Sequence, residues 1–382
     1  MQYRNFGEID WKPSALGFGA MRLPHEEDDR GAIKEKESIE MIRWAIDNGV
    51  NYIDTAWPYH DGESERLVAK ALKDGYREKV KIATKLPSWD VEDTDDPDEI
   101  LNEQLEKLDV DKIDFYLLHA LSRKHWENYQ SLDMDIFEWM KEKREEGKID
   151  NLGFSFHDDL DTFKEIVDAY NWDFCQIQYN YLDQDFQAGV EGLKYASEKG
   201  LGVVIMEPLR GGKLAKEPPE AIKKIWDEAE ETREPVEWAL KWLWNQPEVS
   251  LVLSGMSEME QVKENVKYAS ESGVDGLSDK ELGLIDRAAE KYREMSPVEC
   301  TGCNYCVPCP NDVSIPRNFR MYNQAEIYDE FQEQKEIWDE NMKDESKATN
   351  CVRCGNCIEK CPQNLPIMDL LEDVTEYFEG RS

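Results

Sequence analysis

Apolar and polar positions alternate along the first three quarters of the chain in two kinds of block. Short apolar runs predict buried strands at Ser14–Ala20, Asn51–Ala56, Lys81–Lys85 continuing to Pro87, Ile113–His119, Ile149–Phe156, Phe174–Tyr179, Gly202–Glu207 and Ser250–Ser254. Between them, apolar residues recur at helical spacing. Residues 32–48 read as a helix through Ile33, Ile39, Ile42, Ala45 and Ile46, stopped by Asn48-Gly49. Glu63–Leu72 follows, then a helix opened by Pro97 after the solvated loop 90–96, and another within 133–146. Residues 217–229, 234–244 (with Trp238, Trp242 and Trp244), Glu258–Ala269 and 278–293 complete the helical set. Residues 2–12 predict a short hairpin about Gly7, placed to plug a barrel floor. Residues 87–97 and 120–132 read as the long loops at the ends of their strands. Eight strand–helix alternations with no Gly-x-Gly-x-x-Gly predict an α/β fold of the closed (β/α)8 type rather than a doubly wound sheet.

The length of 382 residues accommodates a barrel of about 250 residues and a smaller second domain. Ser296-Pro297 breaks the alternation, so the domains are expected at 1–295 and 296–382. The net charge of −37 argues against nucleic acid and against anionic membrane surfaces, both of which need clustered Lys and Arg. Two readings of that acidity stand side by side: a salt-adapted surface, and a highly soluble cytosolic protein. No run approaches the apolar length of a membrane span, and Met1–Asn5 lacks the apolar core of a signal peptide. A cytoplasmic protein is expected.

Candidate chemistry sits at the strand ends. Asp54 lies inside an apolar strand, where a carboxylate is costly unless paired or working. Lys85 closes the next predicted strand and His119 the one after it, while Tyr59 follows the strand of Asp54 in Trp57-Pro58-Tyr59. Successive strands thus deliver Asp, Lys and His to the end where a (β/α)8 barrel carries its active site. Taken singly, Asp54 and Lys85 could be a structural ion pair, Tyr59 a rim aromatic and His119 a core histidine. Together they make a catalytic set.

On Asp54-Thr55-Ala56-Trp57-Pro58-Tyr59, on Lys85 after Ala83-Thr84, and on His119 after Phe115-Tyr116-Leu117-Leu118, the chain resembles the aldo-keto reductase family over nearly all of residues 1–295. The resemblance implies a nicotinamide-dependent oxidoreductase acting on a carbonyl or alcohol. Tyr59 would be the proton donor and Lys85 would lower its pKa. Asp54 would hold Lys85, and His119 would orient the carbonyl. The cofactor, NADP or NAD, would lie across the strand ends. Gly19, Met21 and Arg22 would line its nicotinamide and pyrophosphate region, and Ser155 and Gln178 would hold the carboxamide. Pro208, Leu209 and Arg210 would frame the pyrophosphate, and Gly255, Gln261, Glu264 and Asn265 the adenosine end. The chain departs from the family in three places. Ser155-Phe156-His157 stands where many members have Ser-Asn. Met206 replaces the ring-stacking aromatic. Gly255 and Gln261 replace the basic residues that grip the 2′-phosphate, with Arg210 and Lys213 as the cations that could compensate, so discrimination between NADPH and NADH is expected to be modest.

Eight of nine cysteines lie beyond residue 299. Cys175, the exception, reads as a small buried residue within its strand. Cys300-x2-Cys303-x2-Cys306-x2-Cys309-Pro310 is followed by Cys351-x2-Cys354-x2-Cys357-x3-Cys361-Pro362, and the second run has the spacing of bacterial ferredoxins. Two [4Fe–4S] clusters are expected, with zinc as the alternative that the triple Cys-x-x-Cys-x-x-Cys disfavours. The cysteine before each proline is assigned to the other group's cluster: Cys361 with Cys300, Cys303 and Cys306, and Cys309 with Cys351, Cys354 and Cys357. Residues 311–350 look helical, so the region resembles the all-helical two-cluster ferredoxins, and the whole chain the aldo-keto reductases that carry such a domain. Two functions follow. One is a carbonyl or alcohol oxidoreductase whose clusters exchange electrons with an outside carrier. The other is a non-catalytic redox-sensing module in which the barrel binds nicotinamide and the clusters are structural or partner-linked. Hydride carries two electrons and each cluster one, and no flavin motif is present to split the pair.

Overall fold

The computed structural model describes residues 1–26, 29–300, 306–358, 360–361 and 365–380. Eight parallel strands close into a barrel: β1 Leu16–Gly19, β2 Tyr52–Asp54, β3 Lys81–Pro87, β4 Ile113–Leu121, β5 Ile149–Phe156, β6 Phe174–Gln178, β7 Gly202–Met206 and β8 Leu251–Gly255. Their order around the barrel follows the sequence, and β1 closes it by pairing with both β8 and β2. The outer ring includes Glu35–Asp47, Ser64–Ala71, Asp96–Leu108, Ile136–Glu145, Leu160–Ala169, Gly189–Glu198, Pro235–Trp244 and Met259–Ser270. The strands read as continuous apolar runs because helices cover one face and the barrel lumen buries the other.

The two-residue period of a strand sets what enters the lumen. Tyr52, Ala83, Phe115, Leu117, Phe174, Val204, Leu251 and Leu253 pack there in one cluster. Phe6 joins them from below, fully buried, with its ring 5.3 Å from Phe115 and 5.8 Å from Phe174. The expected floor plug is therefore present, but not as a regular hairpin: its β-bridges among the described residues are the isolated pairs Tyr3↔Ser14 and Phe6↔Ile9. Gly7 turns the plug with φ +54°, and a Cβ there would lie 2.3 Å from Gly200 O, which excludes any side chain.

Three further differences have physical causes. The first outer helix begins at Glu35, not at residue 32, because Asp29–Ile33 pairs antiparallel with His25–Glu26. The Arg30 carbonyl in the Asp29–Ile33 strand accepts from His60 Nδ1 at 2.7 Å, a tertiary contact that helical spacing cannot register. Within the expected loop 120–132, Arg123–Ser131 is a helix: Ser122 caps it, and Trp126 and Tyr129, three apart, are buried on one face. The expected helix 217–229 is shorter, Glu220–Trp226.

Contacts divide the chain into two compact units, residues 1–215 with 234–278, and residues 216–233 with 279–382. The first is the barrel. In the second, helix Asp279–Met295 packs on Glu220–Trp226, and Arg287 grips Glu228 with two hydrogen bonds of 2.7 Å. The unit continues with helices Ile315–Tyr328, Phe331–Glu336 and Ile367–Glu379. Phe319, Trp338, Leu371, Val374 and Phe378 form its core, with Cys300, Cys306, Cys309, Cys351 and Cys361 packed against it. Among the described residues no helix is long and apolar enough to cross a membrane.

Candidate functional site

Two residues above the lumen cluster on each strand stand the polar groups. Asp54 follows Tyr52, Lys85 follows Ala83 and His119 follows Leu117, so strand alternation turns all three inward at the C-terminal end. Lys85 Nζ donates to Asp54 Oδ2 and to the Thr55 carbonyl, both at 2.7 Å, and Lys85 is fully buried. Tyr59 reaches the same point from the loop after β2: Lys85 Nζ lies 4.9 Å from its ring centre, and the Tyr59 ring stands edge-on to His119 at 6.2 Å. The residues after Tyr59 are strained. His60 and Asp61 both hold φ of +53°, the left-handed region, in a turn fixed by tertiary contacts. Buried His60 fixes it from both ring nitrogens: Nε2 accepts from Leu23 N–H at 3.2 Å while Nδ1 faces the Arg30 carbonyl.

Electrostatics assign the protonation states. Burial pushes Lys85 down, but the Asp54 carboxylate, and then Tyr59, more than restore it, so the ammonium persists. The Tyr59 phenol was expected to fall. Instead it stands above its ordinary value, because burial outweighs the nearby Lys85 ammonium that pulls it down. His119 lies well below the ordinary imidazole value, through burial first and then the charges of Lys85, His157 and His125. Its Nδ1 is buried with no hydrogen-bond partner among the described residues. The site thus holds a neutral imidazole and a protonated phenol beside one ammonium, a set suited to donating a proton to an oxygen at the barrel mouth.

These directions carry a pH prediction. Carbonyl reduction needs the phenol protonated and His119 neutral. Its kcat/KM is expected to stay level through the ordinary imidazole range near pH ~6.5 and up to about pH 10, with an acid limb only well below. Initial rates from pH 5 to 10 test this, and an acid limb centred near ~6.5 would contradict a depressed His119.

The expected nucleotide residues all lie on the C-terminal side of the strands. Gly19 ends β1, in register with Asp54 on one side and Gly255 on the other. Ser155 is buried, and its Oγ accepts from Ala120 N–H at 2.7 Å. Gln178 ends β6, and Met206 ends β7 with its sulfur accepting from Gln176 Nε2 at 3.5 Å. Pro208 and Leu209 lead into the turn Arg210–Ala215, where Arg210, Gly211 and Gly212 all have positive φ. Met21, Arg22 and Glu264 are exposed, and Gln261 is partly so. Asn265 is buried and gives its amide to Ser254 Oγ at 3.2 Å. Phe156, standing for the family's Asn, is buried against Phe163.

Sequence reasoning missed two side chains here. Trp89 lies 4.9 Å from the His119 ring and is 42 % exposed, an apolar plate at the mouth. Asp183, 6 % exposed, accepts from Asn180 at 3.0 Å and pairs with Arg210 at 3.2 Å, with Gln178 Nε2 at 3.4 Å. An exposed-looking Trp after Pro87 was a readable signal. Asp183 offered none, since its charged partner Arg210 comes from the turn after the next strand.

In the second unit, a small cavity is lined by Cys309, Cys351, Cys354 and Cys357, with Cys306 also on its wall. Burial pushes the Cys357 thiol up, and the facing sulfurs of Cys351, Cys354 and Cys309 push it further. A soft four-sulfur donor set around one cavity fits an iron–sulfur cluster. Cys300 and Cys361 are described, partly buried residues, and Cys303 lies outside the described residues. Cys175 is fully buried, and burial raises its thiol far above the ordinary value, as expected of an inert core residue.

Residues 15–290 match the profile of the Aldo/keto reductase family, and residues 299–365 that of the 4Fe-4S dicluster domain. L-galactose dehydrogenase of Arabidopsis thaliana is 27 % identical over 319 residues, covering 78 % of this chain and 97 % of that protein. The NADH-specific methylglyoxal reductase of Escherichia coli is 28 % identical, covering 74 % and 97 %. Among solved structures, the holo form of aldo-keto reductase AKR11C1 from Bacillus halodurans superposes with a TM-score of 0.62 at 27 % identity, covering 75 % of this chain and 96 % of that one.

Proposed function

Since the chain belongs to the aldo/keto reductase family and carries a C-terminal 4Fe-4S dicluster domain, we propose that it is an oxidoreductase moving hydride between NAD(P)H and a carbonyl or alcohol. The observation that carries this is the buried Lys85–Asp54 pair at 2.7 Å, set beside Tyr59 and His119 at the barrel mouth. A bound nicotinamide supplies the hydride. Tyr59 gives its proton to the carbonyl oxygen in reduction and takes it back in oxidation. Lys85 stabilises the phenolate that results, Asp54 keeps Lys85 in place, and neutral His119 donates a hydrogen bond that orients the oxygen. Trp89 presents an apolar ring beside His119 at the mouth. The strand-end residues from Gly19 to Asn265 would hold the nucleotide, with Ser155 and Gln178 toward the carboxamide and Pro208, Leu209 and Arg210 at the pyrophosphate. A relative named for NADH specificity supports keeping both NAD and NADP open.

The cysteines would hold two [4Fe–4S] clusters, which supply single-electron chemistry for exchange with an electron carrier. We keep the boundary at 295/296, which the limits of the two family matches support, and read the second domain as a helical ferredoxin type. A reducing cytoplasm fits thiols that must stay free for iron. Anaerobic purification with iron and sulfide analysis, followed by NAD(P)H oxidation against a carbonyl panel, tests the reading. About eight irons per chain and carbonyl-dependent turnover are expected. Nucleotide binding with no turnover on any carbonyl or alcohol would favour the redox-sensing module instead.

A further inference from the structure

We propose that Arg22 binds the 2′-phosphate of NADPH, supplying from the loop after β1 the cation that Gly255 and Gln261 lack. The proposal rests on the nucleotide lying across the strand ends, as above. Its ground is the course of the Arg22 side chain. β1 and β8 run in register, Gly19 opposite Gly255, and the short turn Ala20–Arg22 brings Arg22 back over the end of β8. A Cβ built on Gly255 would lie 3.1 Å from Arg22 Cγ and 3.2 Å from its Cβ and Cδ. Arg22 thus runs through the space beside residue 255, where any side chain would crowd it. The guanidinium extends toward the turn at 210–212: a Cβ on Gly211 would lie 3.6 Å from Nη2. One cation therefore stands between the expected pyrophosphate turn and the expected adenosine end.

Two other polar candidates are committed elsewhere. Arg210 is paired with buried Asp183 at 3.2 Å, so its charge is already matched. Gln261 turns back on its own helix start, its Oε1 accepting from Ser257 N–H at 2.9 Å. Arg22 is exposed and has no ion-pair partner among the described residues. In a chain of net charge −37, carboxylates are abundant, and most surface cations at this density find one. A guanidinium left open beside glycines is suited to a phosphate monoester, which carries close to two charges and accepts its planar fork of donors. Only NADPH brings such a group; the pyrophosphate is common to both nucleotides, so comparing the two isolates the contact.

The test is binding of NADH and NADPH to the anaerobically purified holoprotein, read by tryptophan fluorescence, for wild type, Arg22→Ala, and Arg22→Ala with Gly255→Arg. Wild type is expected to prefer NADPH. Arg22→Ala should weaken NADPH by at least about tenfold more than NADH, ~1.4 kcal/mol of lost discrimination. The second substitution enters the space that Arg22 vacates and should restore NADPH, a rescue that a merely structural role would not allow. Equal loss of both nucleotides, or no loss of either, overturns the proposal. Failure of wild type to bind either nucleotide would overturn the nucleotide reading of the barrel, and the role of Arg22 with it.

Discussion

Tyr59→Phe is expected to lower carbonyl reduction by about 10²- to 10⁴-fold while nucleotide affinity stays near that of wild type. The phenol oxygen is the one group of the set placed to hand over a proton; the ring that meets His119 edge-on at 6.2 Å is retained by phenylalanine. Ground-state packing is therefore preserved and only the transition-state proton is lost, so kcat should fall with little change in KM. Because burial holds the phenol above its ordinary value, Lys85 acts by accommodating the phenolate as it forms rather than by keeping it ionised at rest. Steady-state kinetics on the variant, paired with a nucleotide titration, decide the matter. Turnover within a few-fold of wild type would remove Tyr59 from the chemistry.

The second large effect concerns the clusters. Cys309→Ser is expected to damage the centre built on Cys351, Cys354 and Cys357, although Cys309 belongs to the earlier run in sequence. Cys361→Ser should damage the centre built on Cys300, Cys303 and Cys306. For Cys309 the support is spatial: it shares a cavity wall with Cys351, Cys354 and Cys357. Cys306 also touches that cavity, so Cys306→Ser is the control, expected to strike the other centre. Loss of one thiolate converts a four-iron centre to three irons or removes it, taking about eight irons to about seven or about four. Iron analysis and low-temperature electron paramagnetic resonance, with each centre's signal assigned independently, distinguish the variants. If each variant loses the centre of its own sequence run, the exchanged assignment fails. Carbonyl reduction that survives in either variant would mean that the hydride step does not need the clusters.

Much of the barrel was legible because its signals are local. A strand buried on both faces must be apolar along its length, and helices between strands repeat their apolar residues near every third or fourth position. Asp54, Lys85 and His119 stood out because a charged or polar group closing an apolar run is costly without a purpose. Cysteine spacing was equally local, since three thiolates on one short loop suffice to wrap a cluster face. The pairing of Asp29–Ile33 with His25–Glu26, by contrast, is held to distant residues through the His60 contact with Arg30, and the helix at 123–131 hid within a segment read by its loop-like polarity.

The sequence by itself determined the class of fold, the residue types at the strand ends and the cysteine sets, because strand period, helix period and ligand spacing are properties of neighbours along the chain. Tertiary structure alone decided where charges act. The sign of the Tyr59 shift depends on how much burial the closed barrel imposes against one ammonium, a balance that residue types do not contain. The pairing of Asp183 with Arg210, and the passage of Arg22 over Gly255, join residues far apart in sequence. Such contacts follow from strand ends that converge only once the sheet has closed, when β1 lies against β8 in parallel register.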